Sequence, residues 1–235
     1  MLTVVQADVH AATLADNCLV RNDWVCPLYI QSRAGELWDG TLQHLYITAV
    51  SLLIGVLISV PLAVFAHEWR KARPLTLGVS TVLYTIPSLA MFSLLLPFLG
   101  LSAATTITGL VVYSLTILVR NLLVGLDSVD DDVRDAARGM GFGRFGMLGR
   151  VEAPLALPAA FAGLRVAAVS TIALTTVGAL VGYGGLGNMM LQGVQANFKA
   201  EVLTSSVLCV VLAVLADFLL LGLQRLVAPW QRTAA

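Results

Sequence analysis

The sequence predicts an all-α integral membrane protein with five transmembrane helices, and three observations carry that prediction. Of 235 residues, 58% are hydrophobic and only 12% are charged, about half the charge of a typical soluble domain. The mean hydropathy of +0.86 makes lipid, not water, the solvent for most of the chain. Five separate apolar stretches also approach the roughly 20 helical residues needed to cross a hydrocarbon core about 30 Å thick.

The first stretch runs from about Leu45 to Ala66 and holds no charged residue. The second, from about Leu75 to Leu99, is interrupted by Pro87 and Pro97. The third spans about Ala103 to Gly125, and Gly100-Leu101-Ser102 before it leaves room only for a tight hairpin. The fourth runs from about Leu155 to Val181 and the fifth from about Val202 to Leu223. This divides the chain into an N-terminal segment (1–42), a membrane domain (43–226) and a short tail (227–235). The first 40 residues have no basic run ahead of an apolar core, so the first span is expected to act as an uncleaved insertion signal.

Basic residues set the orientation. Arg70, Lys71, Arg73, Arg120, Arg134, Arg138, Arg144, Arg150, Arg225 and Arg232 fall on one side, against Arg21, Arg33 and Lys199 on the other. The N-terminus is therefore expected outside and the C-terminus in the cytoplasm. The longest hydrophilic break between spans, about 127–152, then faces the cytoplasm. Fourteen basic residues balance fourteen acidic ones, which argues against a nucleic-acid partner bound through a basic face.

The cytoplasmic break reads Asp135-Ala136-Ala137-Arg138-Gly139-Met140-Gly141, then nine residues, then Val151-Glu152-Ala153-Pro154. It is expected to form two short helices joined at a flexible point. Asp127, Asp130, Asp131 and Asp132 crowd the start of the first, where the helix dipole favours negative charge. Gly139, Gly141 and Gly143 allow a sharp turn, and Pro154 and Pro158 suit the start of the next helix. On residues alone, a solvated loop with ordinary turn glycines is an equal reading.

The spacing resembles the EAA loop of ABC importer permeases: Glu-Ala-Ala, three residues, Gly, nine residues, Ile-x-Leu-Pro. Asp135, Ala136, Ala137, Gly141, Val151 and Pro154 match by position; Asp135 replaces the usual Glu and Ala153 the usual Leu. A narrower resemblance, to permeases of osmoprotectant importers for glycine betaine, choline and carnitine, rests on three runs. They are Thr85-Ile86-Pro87-Ser88-Leu89-Ala90, the Asp135–Gly141 run and Pro154-Leu155-Ala156-Leu157-Pro158. Gly184-Gly185-Leu186-Gly187 is similar too, though methionine-importer permeases share such a run. The resemblance implies a MetI-like ABC permease fold in the bacterial cytoplasmic membrane, paired with a second identical or homologous permease. It implies a cytoplasmic ATPase that docks on the loop and binds ATP and Mg. It also implies an extracellular or lipid-tethered substrate-binding protein. Importers of other small solutes, such as amino acids, and non-ABC channels or structural subunits remain the alternatives.

No Walker P-loop occurs in the chain, so no catalysis and no cofactor are expected within it. Gly182-x-Gly184-x-x-Gly187 fits the dinucleotide pattern but ends a membrane helix instead of following a strand. His67-Glu68-Trp69-Arg70-Lys71 lacks the second His of a zinc-protease helix, and with no Cys/His ligand cluster no metal site is expected. Pro87 and Pro97 are either structural kinks or places where freed backbone and Ser88 line a solute path. Tyr84, Phe92, Tyr113 and Tyr183 are candidate faces for a quaternary amine, although membrane aromatics also serve as packing. Arg165 and Asp217 lie deepest in the spans at matching depths, which favours a structural ion pair over a direct role in passage. Cys18 and Cys26 lie in the segment placed outside, where a disulfide can persist; free thiols are the alternative.

The orientation has a direct check. A cysteine placed at Gln31 should react with an impermeant maleimide in intact cells, and one at Arg232 only after permeabilisation. The reverse pattern would contradict the charge argument.

Overall fold

The computed structural model describes residues 17–230, and every regular element among them is helical. Two short helices, α1 (Cys18–Arg21) and α2 (Pro27–Ser32), precede the long α3 (Ala34–Glu68). Then come α4 (Arg73–Thr85), α5 (Ser88–Leu99), α6 (Ala103–Asp127), α7 (Asp131–Gly139) and α8 (Arg144–Met147). A π-helical turn (Leu148–Glu152) leads into α9 (Ala153–Thr175), and a 3₁₀ segment (Thr176–Val181) closes it. The chain ends in α10 (Leu186–Gln195) and α11 (Lys199–Val227). Among the described residues four helical runs are long and apolar enough to cross a membrane, and a fifth is complete if α4 and α5 count as one broken span.

α6 is the axis of the bundle, packed against α3, α4, α5 and α9. Small residues permit its close crossings, as expected where packing, not hydrophobic transfer, joins helices in lipid. A Cβ at Gly55 of α3 would lie 2.4 Å from Ser114 Oγ of α6, and one at Gly163 of α9 only 2.3 Å from Asn121 Cβ. Cross-helix bonds add to this contact. Thr116 Oγ1 donates to the Ser80 carbonyl at 2.5 Å, and His44 Nε2, fully buried, donates to the Ile172 carbonyl at 3.0 Å.

Three boundaries differ from the sequence expectation. α3 begins at Ala34, so it crosses the 42/43 division and starts eleven residues before Leu45. At 1.5 Å per residue its 35 residues reach about 52 Å; apolarity marks where lipid begins, not where the helix begins. Pro87 breaks the second span, with Ile86 held extended (ψ 125°) and a 96° bend between α4 and α5, as the clash of a proline ring with its preceding residue dictates. Pro97 does not end α5, which runs two residues past it to Leu99, just before the turn at Gly100 (φ +64°). The second short helix of the loop is not separate either. α8 continues through the π turn into α9, with Ala153 N–H reaching the Leu148 carbonyl. Pro154, which has no N–H to give to that ladder, follows directly on the π turn.

Within the membrane, Arg165 and Asp217 form a two-pronged ion pair joining α9 and α11, Nε–Oδ1 and Nη2–Oδ2 both at 2.8 Å. In a poorly solvated site, a lone member of such a pair is worse than neither. Asp217→Asn or Arg165→Gln alone should therefore lower the melting temperature of the purified protein more than the two together. Additive losses in that cycle would show the pair to be uncoupled.

Candidate functional site

α7 is built to stand at the membrane edge. Asp130 caps it, its side chain accepting the Asp132 N–H at 3.0 Å, and Asp131 and Asp132 fill the first turn where the dipole favours them. Asp135 and Arg138, both exposed, pair one turn apart at 2.6 Å. The helix ends with Gly141 N–H bonded to the Arg138 carbonyl (2.9 Å) and Phe142 N–H to the Ala137 carbonyl (3.2 Å). This is a Schellman cap, and it needs a left-handed residue at Gly141, which has φ +85°. Of the three turn glycines only Gly141 uses that region: Gly139 is helical, and Gly143 has φ −75°.

The outer face of this element is apolar where a solvated loop would be polar. Val133, Ala136 and Met140 share one side of the α7 turns, with Met140 71% exposed, and Phe145 of α8 is 88% exposed. Ala137 is buried. Val151 and Pro154 are half-buried in the turn returning to the membrane and do not join the exposed face. Met140 and Phe145 were not singled out from sequence. The break holds other apolar residues, Phe142 and Met147 among them, so sequence alone did not mark these two as the exposed ones.

The inner face of α7 is held by charge. Arg134 donates to Glu152 Oε1 (2.8 Å), Asp131 Oδ1 (2.9 Å) and the Leu126 carbonyl (2.9 Å). Burial works against its charge, but the bonds to Glu152 and Asp131 outweigh it and hold the guanidinium pKa above its ordinary value. Glu152, only 7% exposed, faces His67 Nε2 at 3.4 Å, and the other ring nitrogen of His67 lies 3.3 Å from Asp127. Arg73 also pairs with Asp127, and Arg144 with Glu68. One cluster thus ties the ends of α3 and α6 and the starts of α4 and α9 to α7 around a polar cleft of about 1080 Å³. Sequence reasoning passed over His67 and Glu152. The available clue was that Glu152 is the one carboxylate between Asp135 and Glu201.

The candidate path residues divide into two groups. Tyr84 and Tyr113 meet edge to face at 5.8 Å, and Tyr113 donates its hydroxyl to the Ile86 carbonyl beside Pro87 and Ser88. Phe92 is instead sealed in a core with Ile47, Leu110 and Val181, with Tyr183 packed at its edge; its packing leaves no ring face for a solute. The run Gly182–Gly187 forms a close-packed turn. Gly184 N–H donates to Asn188 Oδ1 (3.0 Å), and Gly185 (φ +56°) lies where a Cβ would stand 2.6 Å from His44 Cα. On the opposite end of the bundle from α7, Cys18 and Cys26 are joined by a disulfide, Cα–Cα 5.5 Å.

Residues 38–233 match the model of the family described as binding-protein-dependent transport system inner membrane component. The chain belongs to that family. As a family member it is similar to the osmoprotectant import permease protein OsmW of Salmonella typhimurium, 36% identical over 208 residues, covering 86% of this chain and 96% of the relative. It is likewise similar to the choline transport system permease protein OpuBD of Bacillus subtilis, 35% identical, covering 86% and 89%. Its fold matches an inward-facing structure of the MetNI methionine ABC transporter with a TM-score of 0.77 at 23% identity, covering 83% of this chain and 98% of that one.

Glu152 is expected to hold α7 in place. Glu152→Gln removes the charge from its bond to Arg134, an interaction of about 1.5–3 kcal/mol, so amide exchange across 131–139 should quicken about tenfold or more while that of mid-α9 stays unchanged. Unaltered exchange in α7 would assign the anchoring elsewhere.

Proposed function

We propose that this chain is the membrane-spanning permease subunit of an ATP-driven importer for quaternary-amine osmoprotectants such as glycine betaine, choline or carnitine. The observation that carries the reading is the apolar, solvent-facing surface of Met140 and Phe145 on a loop of EAA spacing, in a family member whose relatives are osmoprotectant permeases. Exposed apolar side chains on a polar element mark a docking surface. Here the partner is a cytoplasmic ATPase subunit, which binds ATP and Mg; this chain supplies neither catalysis nor cofactor. Asp135, Ala136, Ala137, Gly139 and Gly141 shape the docking helix, and Val151 and Pro154 its return to the membrane.

Two such permeases, identical or homologous, would enclose the solute path in the bacterial cytoplasmic membrane, with the N-terminus outside and the C-terminus inside. A binding protein on the outer side would deliver the solute. Closure of the ATPase pair displaces α7, and the Arg134–Glu152–His67–Asp127 cluster passes that displacement to α3, α6 and α9 together. The break at Pro87, with Tyr84, Tyr113 and Ser88 around it, is the flexible wall of the path, and access alternates across it.

Gly141→Val tests the coupling. A β-branched residue at φ +85° is strained by about 1–3 kcal/mol, with open space around it, so the cap distorts without a clash in the core. The variant should remain membrane-inserted yet lose solute-stimulated ATPase activity in proteoliposomes carrying the ATPase and binding protein. Normal uptake of glycine betaine and choline by Gly141→Val would count against the docking assignment. Wild-type stimulation by an amino acid alone would instead redirect the solute class.

A further inference from the structure

Residues 17–33 lie ahead of the stretch that matches the family, which begins at residue 38, yet they form a fixed hook on the bundle. The Cys18–Cys26 disulfide closes it. Asn22 ties it to the start of α11, its Nδ2 donating to the Asn197 carbonyl (2.7 Å) and its Oδ1 accepting the Lys199 N–H (2.9 Å). Tyr29 packs edge-on against Phe198 at 5.2 Å, and Cys26 and Tyr29 are buried against Leu37, Leu186 and Ala200.

The other face of the hook is bare and apolar. Trp24 and Ile30, with Trp38 from α3, wall one side of a groove of about 550 Å³, and Leu203, Val207 and Leu208 of α11 form the other side. Trp24 is 55% and Trp38 63% exposed.

The depth of this groove identifies its occupant. α11 has 29 residues, about 43 Å of helix against a hydrocarbon core of about 30 Å, so Lys199 stands near headgroup level. Val207 lies eight residues further along, about 12 Å deeper. The groove therefore descends from the headgroups into the acyl region, in the leaflet opposite α7. Tryptophans gather at that boundary. At the mouth, the Lys199 ammonium lies 5.9 Å from the Trp24 ring centroid, where the ring face holds a cation. Below the groove α11 goes on presenting apolar side chains, exposed at Val210, Val211 and Val214. The polar groups of its lining residues are few, the Thr41 and Thr204 hydroxyls and the indole N–H groups of Trp24 and Trp38, too sparse to orient a protein segment.

We propose that the hook and α11 form a seat for one anionic phospholipid, an acyl chain in the groove and the phosphate beside Lys199. The full-length protein, delipidated in detergent and offered dioleoyl phosphatidylglycerol, should retain one lipid per chain in native mass spectrometry. Thr204→Trp or Val207→Trp, each filling the groove, should cut that occupancy about tenfold without lowering the melting temperature. Val79→Trp, on the exposed face of α4, should leave it unchanged. Lys199→Gln should reduce phosphatidylglycerol binding several-fold and phosphatidylcholine binding much less. Equal retention by wild type and both groove-filling variants would overturn the proposal. So would disulfide-linked homodimers of Val207→Cys formed in quantitative yield, which would give the groove to a second copy.

Discussion

A peptide group in hydrocarbon finds no water, so each N–H and carbonyl must be satisfied by the chain itself. The rest of this structure depends on that constraint. It makes every span a helix, and it decides what must happen where a helix stops. At the Pro87 break the Ile86 carbonyl loses its helical donor, and the Tyr113 hydroxyl of the neighbouring α6 supplies one. The Ser80 carbonyl, six residues earlier in α4, is met by Thr116, and the Ile172 carbonyl, near the change from α-helix to 3₁₀, by His44. Each of these bonds is worth little alone, about 0.6 kcal/mol on average in membrane interiors. Their placement at or near breaks lets irregular backbone survive inside the bundle.

The same constraint separates the two ends of the molecule. Inside the spans charge is sparse: Arg165 pairs with Asp217, and Arg120 of α6 donates to the Thr81 hydroxyl of α4. At the α7 end charge is dense and connected: five elements meet at the cluster of Arg134, Glu152, His67, Asp127 and Arg73. At the other end the hook uses a disulfide, an asparagine cap and aromatic packing instead. The rim of that cluster, where Arg73 meets Asp127 and Arg144 meets Glu68, is partly exposed, and such ion pairs are individually weak and exchange partners at small cost. The Arg134–Glu152 pair beneath it is mostly buried and holds, as do the disulfide and the aromatic contact of the hook. The bundle is thus adjustable at the rim of the α7 end and fixed where the hook clasps it.

Much of this was legible in the sequence, because hydrocarbon thickness and proline chemistry act locally. The apolar stretches, the break at Pro87 and the matching depths of Arg165 and Asp217 follow from counting residues. Other features depended on three-dimensional neighbours. Nothing local distinguishes Gly141, left-handed in a Schellman cap, from Gly139 and Gly143 beside it. Phe92 is, as an aromatic in a span, a candidate face for a solute, but the missing side chain of Gly109 opens a slot that takes its ring into the core. His67 sits in a basic flank, and only folding brings Asp127 and Glu152 to its two nitrogens. The apolar stretch from Leu45 does not reveal that α3 reaches back to Ala34, because its first turns, including Asp39 and Gln43, are polar for good reason: at about 52 Å the helix projects beyond the core.

The contrast between α6 and α11 shows how a peripheral helix is held. Half of the most apolar window of α6 is buried inside the fold, against 6% for α11, so α11 cannot rely on the continuous packing that fixes the axis. Lipid offers its apolar side chains as good a contact as protein does, and area alone therefore gives it no preferred position. Discrete restraints take over along its length. Asn22 caps the first turn, Ala200 and Cys209 enter the core shared with α2, α3 and α10, and Asp217 grips Arg165 of α9 further down. Three points spaced along one helix fix its tilt and its rotation while leaving the outer face free for lipid. The ion pair is the only one of the three between opposite charges in a poorly solvated setting, and it accepts just one rotation of the helix. For that reason Arg165 and Asp217 set the register of α11, and the hook sets its depth.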